Sequence, residues 1–173
     1  MENPFEALLS GSDLRVLRNA DEVIAQVNDQ KSFSMLFSLV FHQERTLVMR
    51  AIDAVEKITL RHSDWLLPHK QQLLEALRTA GHKELKWHIA QLITRLPLDD
   101  SEVTHVWHIL EYWALNPNES KIVRVNSLQG MSELAQTFPR LRKDFLKILN
   151  TMSHVAIPSI QARLRRIRKS FKE

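Results

Sequence analysis

Three side chains in one short stretch, His105, His108 and Glu111, follow one another at intervals of three residues. On a helix that spacing sets groups on one face, where imidazoles and a carboxylate can share a divalent cation. Ile109, Leu110 and Trp113 form the apolar stripe of the same stretch, so the three polar residues are expected on a solvated outer face, holding no metal. The 173 residues include no cysteine, which removes thiolate nucleophiles, iron–sulfur clusters and cysteine zinc sites. There is also no G-x-S-x-G, no phosphate-cradling glycine loop, no H-E-x-x-H and no dinucleotide fingerprint. The expectation is a protein without catalytic residues or cofactor.

Charge is a second kind of chemistry, and it is unevenly placed. The net charge is +4, but residues 140–173 hold ten Lys and Arg against two acidic residues, leaving fourteen basic against eighteen acidic in residues 1–139. Arg163, Arg165, Arg166, Arg168 and Lys169, with Lys172, surround Leu164, Ile167 and Phe171. The apolar stripe would dock on the preceding helix and the cations would face water. Such a basic patch favours its own helix C-terminus, and it can equally contact nucleic acid. Its three large apolar residues are claimed by packing, so no membrane attachment is expected. The opening MENPFEALLS lacks the basic start and apolar run of a secretory signal, and nowhere do about 18 apolar residues run without a charge. A cytoplasmic protein is the expectation.

The elements that must position these residues read as helices throughout. Apolar residues recur at helical spacing, and three glycines without an Asn-Gly or Asp-Gly pair leave little room for hairpins. Expected helices are 20–28, 32–42, 44–62, 68–80, 83–96, 100–115, 120–137, 139–152 and 158–171, separated by Pro68, Gly81, Pro97, Pro117, Pro139 and Pro158. The chain then repeats itself. Leu36, Leu73, Ile109 and Phe145 lie 37, 36 and 36 residues apart, as do Phe37, Leu74, Leu110 and Leu146, and Val40, Leu77, Trp113 and Leu149. A second set keeps the same frame: Ile52, Ile89, Val125 and Gln161; Val55, Leu92, Leu128 and Leu164; Ile58, Arg95, Met131 and Ile167. Only Arg95 and Gln161 are polar, so six columns in one register specify helical hairpins stacked in a row. The expected organisation is an N-terminal helical cap at 1–31 and four hairpins at 32–64, 65–98, 99–137 and 138–173, forming one continuous domain.

The second helices resemble those of HEAT repeats, an armadillo-like family. The likeness rests on Val48 to Ile58, repeated at Leu85 to Leu92 and Ile122 to Leu128. More narrowly the chain is similar to small bacterial HEAT-repeat proteins of unassigned function. The resemblance implies an all-α, right-handed α-solenoid whose second helices line a concave side. It further implies a non-enzymatic adaptor or scaffold whose partner is another protein. Residues of those helices off the apolar columns are then the binding candidates: Arg50, Asp53, Trp87, His88, Gln91, Arg124 and Asn126. Arg and Trp are over-represented where binding energy concentrates, which puts Arg50, Trp87 and Arg124 first, although Trp87 could instead fill a gap between repeats. HEAT hydroxylases hold iron with His-Glu dipeptides, and this chain has none. HEAT-like alkylpurine DNA glycosylases use a basic groove with aromatic residues and a carboxylate. Arg50, Asp53, Trp87 and Arg124 are the same residue types, but the net-acidic first 139 residues depart from that pattern. The alternative function is a nucleic-acid-binding module working through the basic C-terminal helix.

Overall fold

A computed structural model describes residues 3–10 and 20–171. Residues 11–19 of the expected N-terminal cap and Lys172 of the basic helix lie outside the described residues. The chain forms two compact units, residues 1–70 and 71–173, and the division falls inside the expected 65–98 hairpin.

The first unit holds α1 (Glu6–Leu9), α2 (Ala20–Gln26), α3 (Gln30–Ser38) and α4 (Arg45–Thr59). Tight 3₁₀ turns follow α3 at Leu39–Phe41 and α4 at Ser63–His69. α3 starts where Asp29 and Ser32 cap each other: the Asp29 carboxylate accepts from the Ser32 N–H while the Ser32 hydroxyl oxygen accepts from the Asp29 N–H. Such a reciprocal pair satisfies amides that have no intrahelical partner. α4 is the centre of the unit, packed by α1, α2 and α3, and its Leu47, Ile52 and Val55 are fully buried, as are Phe33, Leu36 and Phe37 of α3. His69 stacks on Phe37 with 4.2 Å between ring centroids, and its Nε2 lies 2.9 Å from the Ser34 hydroxyl. Pro68 was expected to open the next helix. It sits instead within the 3₁₀ turn: its fixed φ suits a tight turn, and the Trp65 carbonyl three residues before it accepts from Gln30 Nε2 at 3.1 Å.

The second unit contains α5 (Lys70–Thr79), α6 (Lys83–Leu92), α7 (Asp100–Leu115), α8 (Lys121–Thr137), α9 (Arg142–Met152) and α10 (Pro158–Ser170). α8 is its axis, packing against α6, α7, α9 and α10. The helix ends are punctuated as the side chains dictate. Asp99 and Glu102 form a second reciprocal cap at α7, Ser120 caps α8, and Pro158 occupies the first turn of α10. The columns Val40, Leu77, Trp113, Leu149 and Val55, Leu92, Leu128, Leu164 are buried throughout. The Phe37 column is not: Leu74 is half-buried and Leu146 is exposed.

One contact sets how closely the second helices approach. Gly130 of α8 faces α6 so tightly that a Cβ there would lie 2.7 Å from the Ala90 carbonyl oxygen and 3.4 Å from Thr94 Cγ2. Small residues permit such an approach, and Ser127 and Ser132 beside it are also buried. The pairing of 90 with 130, and of Thr94 with Glu133 below, runs in the same direction along both helices, so α6 and α8 are parallel neighbours.

Candidate functional site

Because α8 is packed on most sides, one stripe of it is left half-exposed: Val125, Gln129 and Glu133, each one turn from the next. The polar pair is tied to both neighbouring second helices. The Thr94 hydroxyl, in the turn ending α6, donates to Glu133 Oε2 at 2.6 Å, and Gln129 Nε2 donates to Glu133 Oε1 at 2.9 Å. Arg163 Nη1 of α10 donates to Gln129 Oε1 at 2.6 Å. A ladder of four side chains therefore spans three helices of the unit. Burial pushes the Arg163 guanidinium below its ordinary value, the Arg166 charge adds to this, and Glu133 opposes both. An arginine stays charged under such shifts, so the ladder presents one carboxylate and one guanidinium held in place by hydrogen bonds. Toward the N-terminal ends of the helices the surface turns apolar. Trp87 stands one turn before Gln91 on α6, half-buried with its ring stacked on His88, while Ile122 is exposed and Val125 half-exposed on α8.

The structure places the residues expected at a partner surface differently from one another. Trp87 and Gln91 are half-exposed on α6 of the second unit. Asp53 is half-buried on α4 of the first unit and ion-pairs with Lys57 at 2.9 Å. Four others are buried and stand on no surface: Arg50, His88, Arg124 and Asn126. Arg50 is 2% exposed, and its Nη1 donates to the carbonyl of Leu9, the last residue of α1. Arg124 is 4% exposed; its Nε donates to the Ala114 carbonyl in the last turn of α7 at 3.0 Å, and Nη2 faces Met152 Sδ. Gln161, the polar member of an apolar column, does related work: its Nε2 lies 2.8–3.5 Å from the carbonyls of Met152, Ser153 and Val155, where α9 ends. Carbonyls at helix ends lack intrahelical donors, and a cation there also meets the negative end of the helix dipole. His88 Nδ1 contacts its own helix at the Glu84 carbonyl, and Asn126 Nδ2 donates to the Ile122 carbonyl.

On α10, Ile160, Leu164 and Ile167 are buried as the docking stripe, and Arg165, Arg166, Arg168 and Lys169 are exposed. Arg168 lies back on α9, its Nη2 3.4 Å from the Leu149 carbonyl. His105 and His108 are exposed on α7, with His108 Nδ1 3.7 Å from Glu111. No three side chains among the described residues are grouped to hold a metal.

Sequence reasoning missed Thr94, Gln129 and Glu133. Their signal was present as the i, i+4 pair Gln129 and Glu133 on α8. It also missed the half-buried ion pair of Lys86 with Glu119, whose ammonium lies 5.5 Å from the Trp113 ring centroid. That pair borders a groove of about 450 Å³ between α5 and α7, lined by Leu77, Arg78, His105, Tyr112 and Trp113.

Helical hairpins whose second helices pack side by side through a close glycine contact define an α-helical repeat protein. The model of the HEAT repeat domain matches residues 12–171, and the chain belongs to that family. No curated protein and no solved structure matches the chain significantly. HEAT repeats commonly mediate protein–protein interaction and generally serve as non-enzymatic scaffolds. No helix among the described residues is long and apolar enough to cross a membrane.

Proposed function

We propose that this chain is a protein-binding scaffold without turnover, and that a protein partner seats on the α6, α8 and α10 face around Trp87, Gln91, Gln129, Glu133 and Arg163. The observation that carries this reading is the ladder from Thr94 through Glu133 and Gln129 to Arg163. It fixes a carboxylate and a guanidinium on a packed scaffold beside a half-exposed tryptophan. Groups already held in place lose little entropy when a partner arrives, and Trp and Arg beside satisfied polar groups are the usual composition of binding hot spots. Burial of Arg50 and Arg124 moves the expected contact surface away from those two residues and onto this stripe.

The test is affinity capture from native cell extract with tagged wild type, Trp87→Ala and Glu133→Lys, each run with and without nuclease. The expected result is a defined protein that survives nuclease on the wild type and is lost from both variants, while circular dichroism and melting temperature report folded protein. Identical captures by all three folded proteins overturn the reading.

A further inference from the structure

The cations from residue 140 onward outnumber the acidic residues available to pair with them. Asp144 is the one acidic residue among the described residues from 140 onward, and it is taken by Lys147 at 2.8 Å. Arg140 reaches Asp100 at 2.7 Å, Arg142 Nε donates to the Ala135 carbonyl, and Arg168 donates to the Leu149 carbonyl. Lys143, Arg165, Arg166 and Lys169 are exposed, and none has a carboxylate within 4.0 Å among the described residues. The fold sets cations of both helices at one end of the pair. Phe145 and Phe171 are in ring contact at 5.4 Å, which places Lys143 and Lys169, each two residues from that contact, at the same end of the α9–α10 pair. Arg165 and Lys169 share a face one turn apart, and Arg166 stands three residues from Lys169.

We propose that this α9–α10 surface binds nucleic acid through its phosphates, without reading base sequence. Three features select phosphates among polyanions. Arginine forks match phosphate geometry in a two-pronged way. A membrane-lying helix must offer large apolar residues to the acyl boundary, whereas Ile160, Leu164 and Ile167 are 0–2% exposed and already packed, leaving Leu146 of α9 as a single exposed apolar side chain. An acidic protein partner would need a desolvated cluster of aromatic or apolar anchors at the centre of the patch, and Leu146, one turn from Lys143, is the single large apolar side chain that α9 and α10 expose. The exposed side chains grouped here are cations, which contact the phosphate backbone whatever the sequence. Of these cations only Arg166 bears on the protein-binding face, through its charge on Arg163, and anisotropy with nucleic acid alone reads this surface without any protein partner.

The test is fluorescence anisotropy with a labelled 20-base-pair DNA duplex and, in parallel, a 20-nucleotide RNA of the same charge per strand. With four phosphate contacts, affinity for the duplex should fall about 150-fold between 50 and 200 mM salt, and about 50-fold for the single strand. The variant Arg165→Glu/Arg166→Glu/Lys169→Glu should lose binding at 50 mM salt. The variant Lys31→Glu/Lys83→Glu/Lys121→Glu, with the same change in net charge at other exposed lysines, should keep affinity within about threefold, since contacts rather than net charge carry the binding. Should the first variant fail to fold by circular dichroism, Arg165→Gln/Lys169→Gln replaces it and should weaken binding at least tenfold. The proposal is overturned if neither probe binds at 50 mM salt, if affinity is insensitive to salt, if both triple variants lose it equally, or if vesicles with 30% phosphatidylserine bind the protein more tightly than either probe.

Discussion

Gly130→Ala is the substitution whose outcome the packing determines most sharply, because two effects of opposite sign meet at one atom. In the interior of α8 alanine is favoured over glycine by about 1 kcal/mol of helix propensity, so propensity alone predicts a more stable protein. The added Cβ would stand 2.7 Å from the Ala90 carbonyl oxygen and 3.1 Å from Leu110 Cδ1. An ordinary carbon–oxygen contact begins near 3.3 Å, so α6 and α8 must separate by roughly 0.6 Å. Leu110 belongs to α7, on which α8 also packs, so α8 cannot retreat from α6 without pressing there. Overpacking of this kind costs about 1–3 kcal/mol, and contact with rigid backbone puts Gly130 in the upper half of that range. The net expectation is destabilisation by about 1–2 kcal/mol. Urea unfolding followed by tryptophan fluorescence measures it, since Trp87, Trp107 and Trp113 all lie in the second unit, and the midpoint should fall with unchanged slope. Gly81→Ala is the matched control: nothing lies within 4 Å of a Cβ there and neither glycine has a positive φ, so it should be stabilising by about 0.4–1 kcal/mol. If Gly130→Ala is as stable as wild type while Gly81→Ala behaves as stated, the close α6–α8 approach is not a requirement of the fold.

Two further perturbations test the helix-end accounting. Arg50→Ala and Arg124→Ala each remove a buried charged donor from a helix-terminal carbonyl and should cost about 2–4 kcal/mol in thermal or urea unfolding; Gln161→Ala, at a half-buried site with weaker neutral bonds, should cost about 1–2 kcal/mol. Hydrogen bonds from the Ser32 hydroxyl and then the Ser32 N–H hold the Asp29 carboxyl below its ordinary 3.8. A depressed carboxyl contributes stability that is present above the unfolded value and lost as pH falls through the folded one. Asp29→Ala should therefore melt earlier than wild type at pH 7, and the difference should narrow as pH falls below about 4.

Helix positions were legible because the apolar period and the breakers agree with each other. Residues 100–115 read from sequence coincide with α7, and 120–137 and 158–171 differ from α8 and α10 by one residue at one end each. α1 was not legible, since a four-residue helix carries no period. Pro68 was read as a helix start because proline favours both a first turn and a 3₁₀ turn, and the choice between them lies in the Phe33, Phe37 and His69 cluster around it. The column of Phe37, Leu74, Leu110 and Leu146 was right as a repeat but uneven as a core: Phe37 and Leu110 are buried, Leu74 is half-buried and Leu146 is exposed.

The site was less legible, for a reason that Arg50, Arg124 and Gln161 make concrete. All three are polar residues near the starts of second helices, and each bonds a carbonyl where a preceding helix ends. They stand five, four and three residues before Val55, Leu128 and Leu164, so the job is shared while the register drifts, and a fixed repeat frame does not align them. A polar side chain off the apolar columns can serve either a partner or an unpaired backbone carbonyl, and sequence periodicity treats the two alike. Backbone carbonyls buried without donors are costly, so a stack of short-looped hairpins claims its long donors first. What remains for the partner proposed above is the set whose hydrogen bonds run from helix to helix across the exposed stripe. That set is Thr94, Gln129, Glu133 and Arg163, and it becomes visible only when Gly130 has brought α6 and α8 close enough for their side chains to meet.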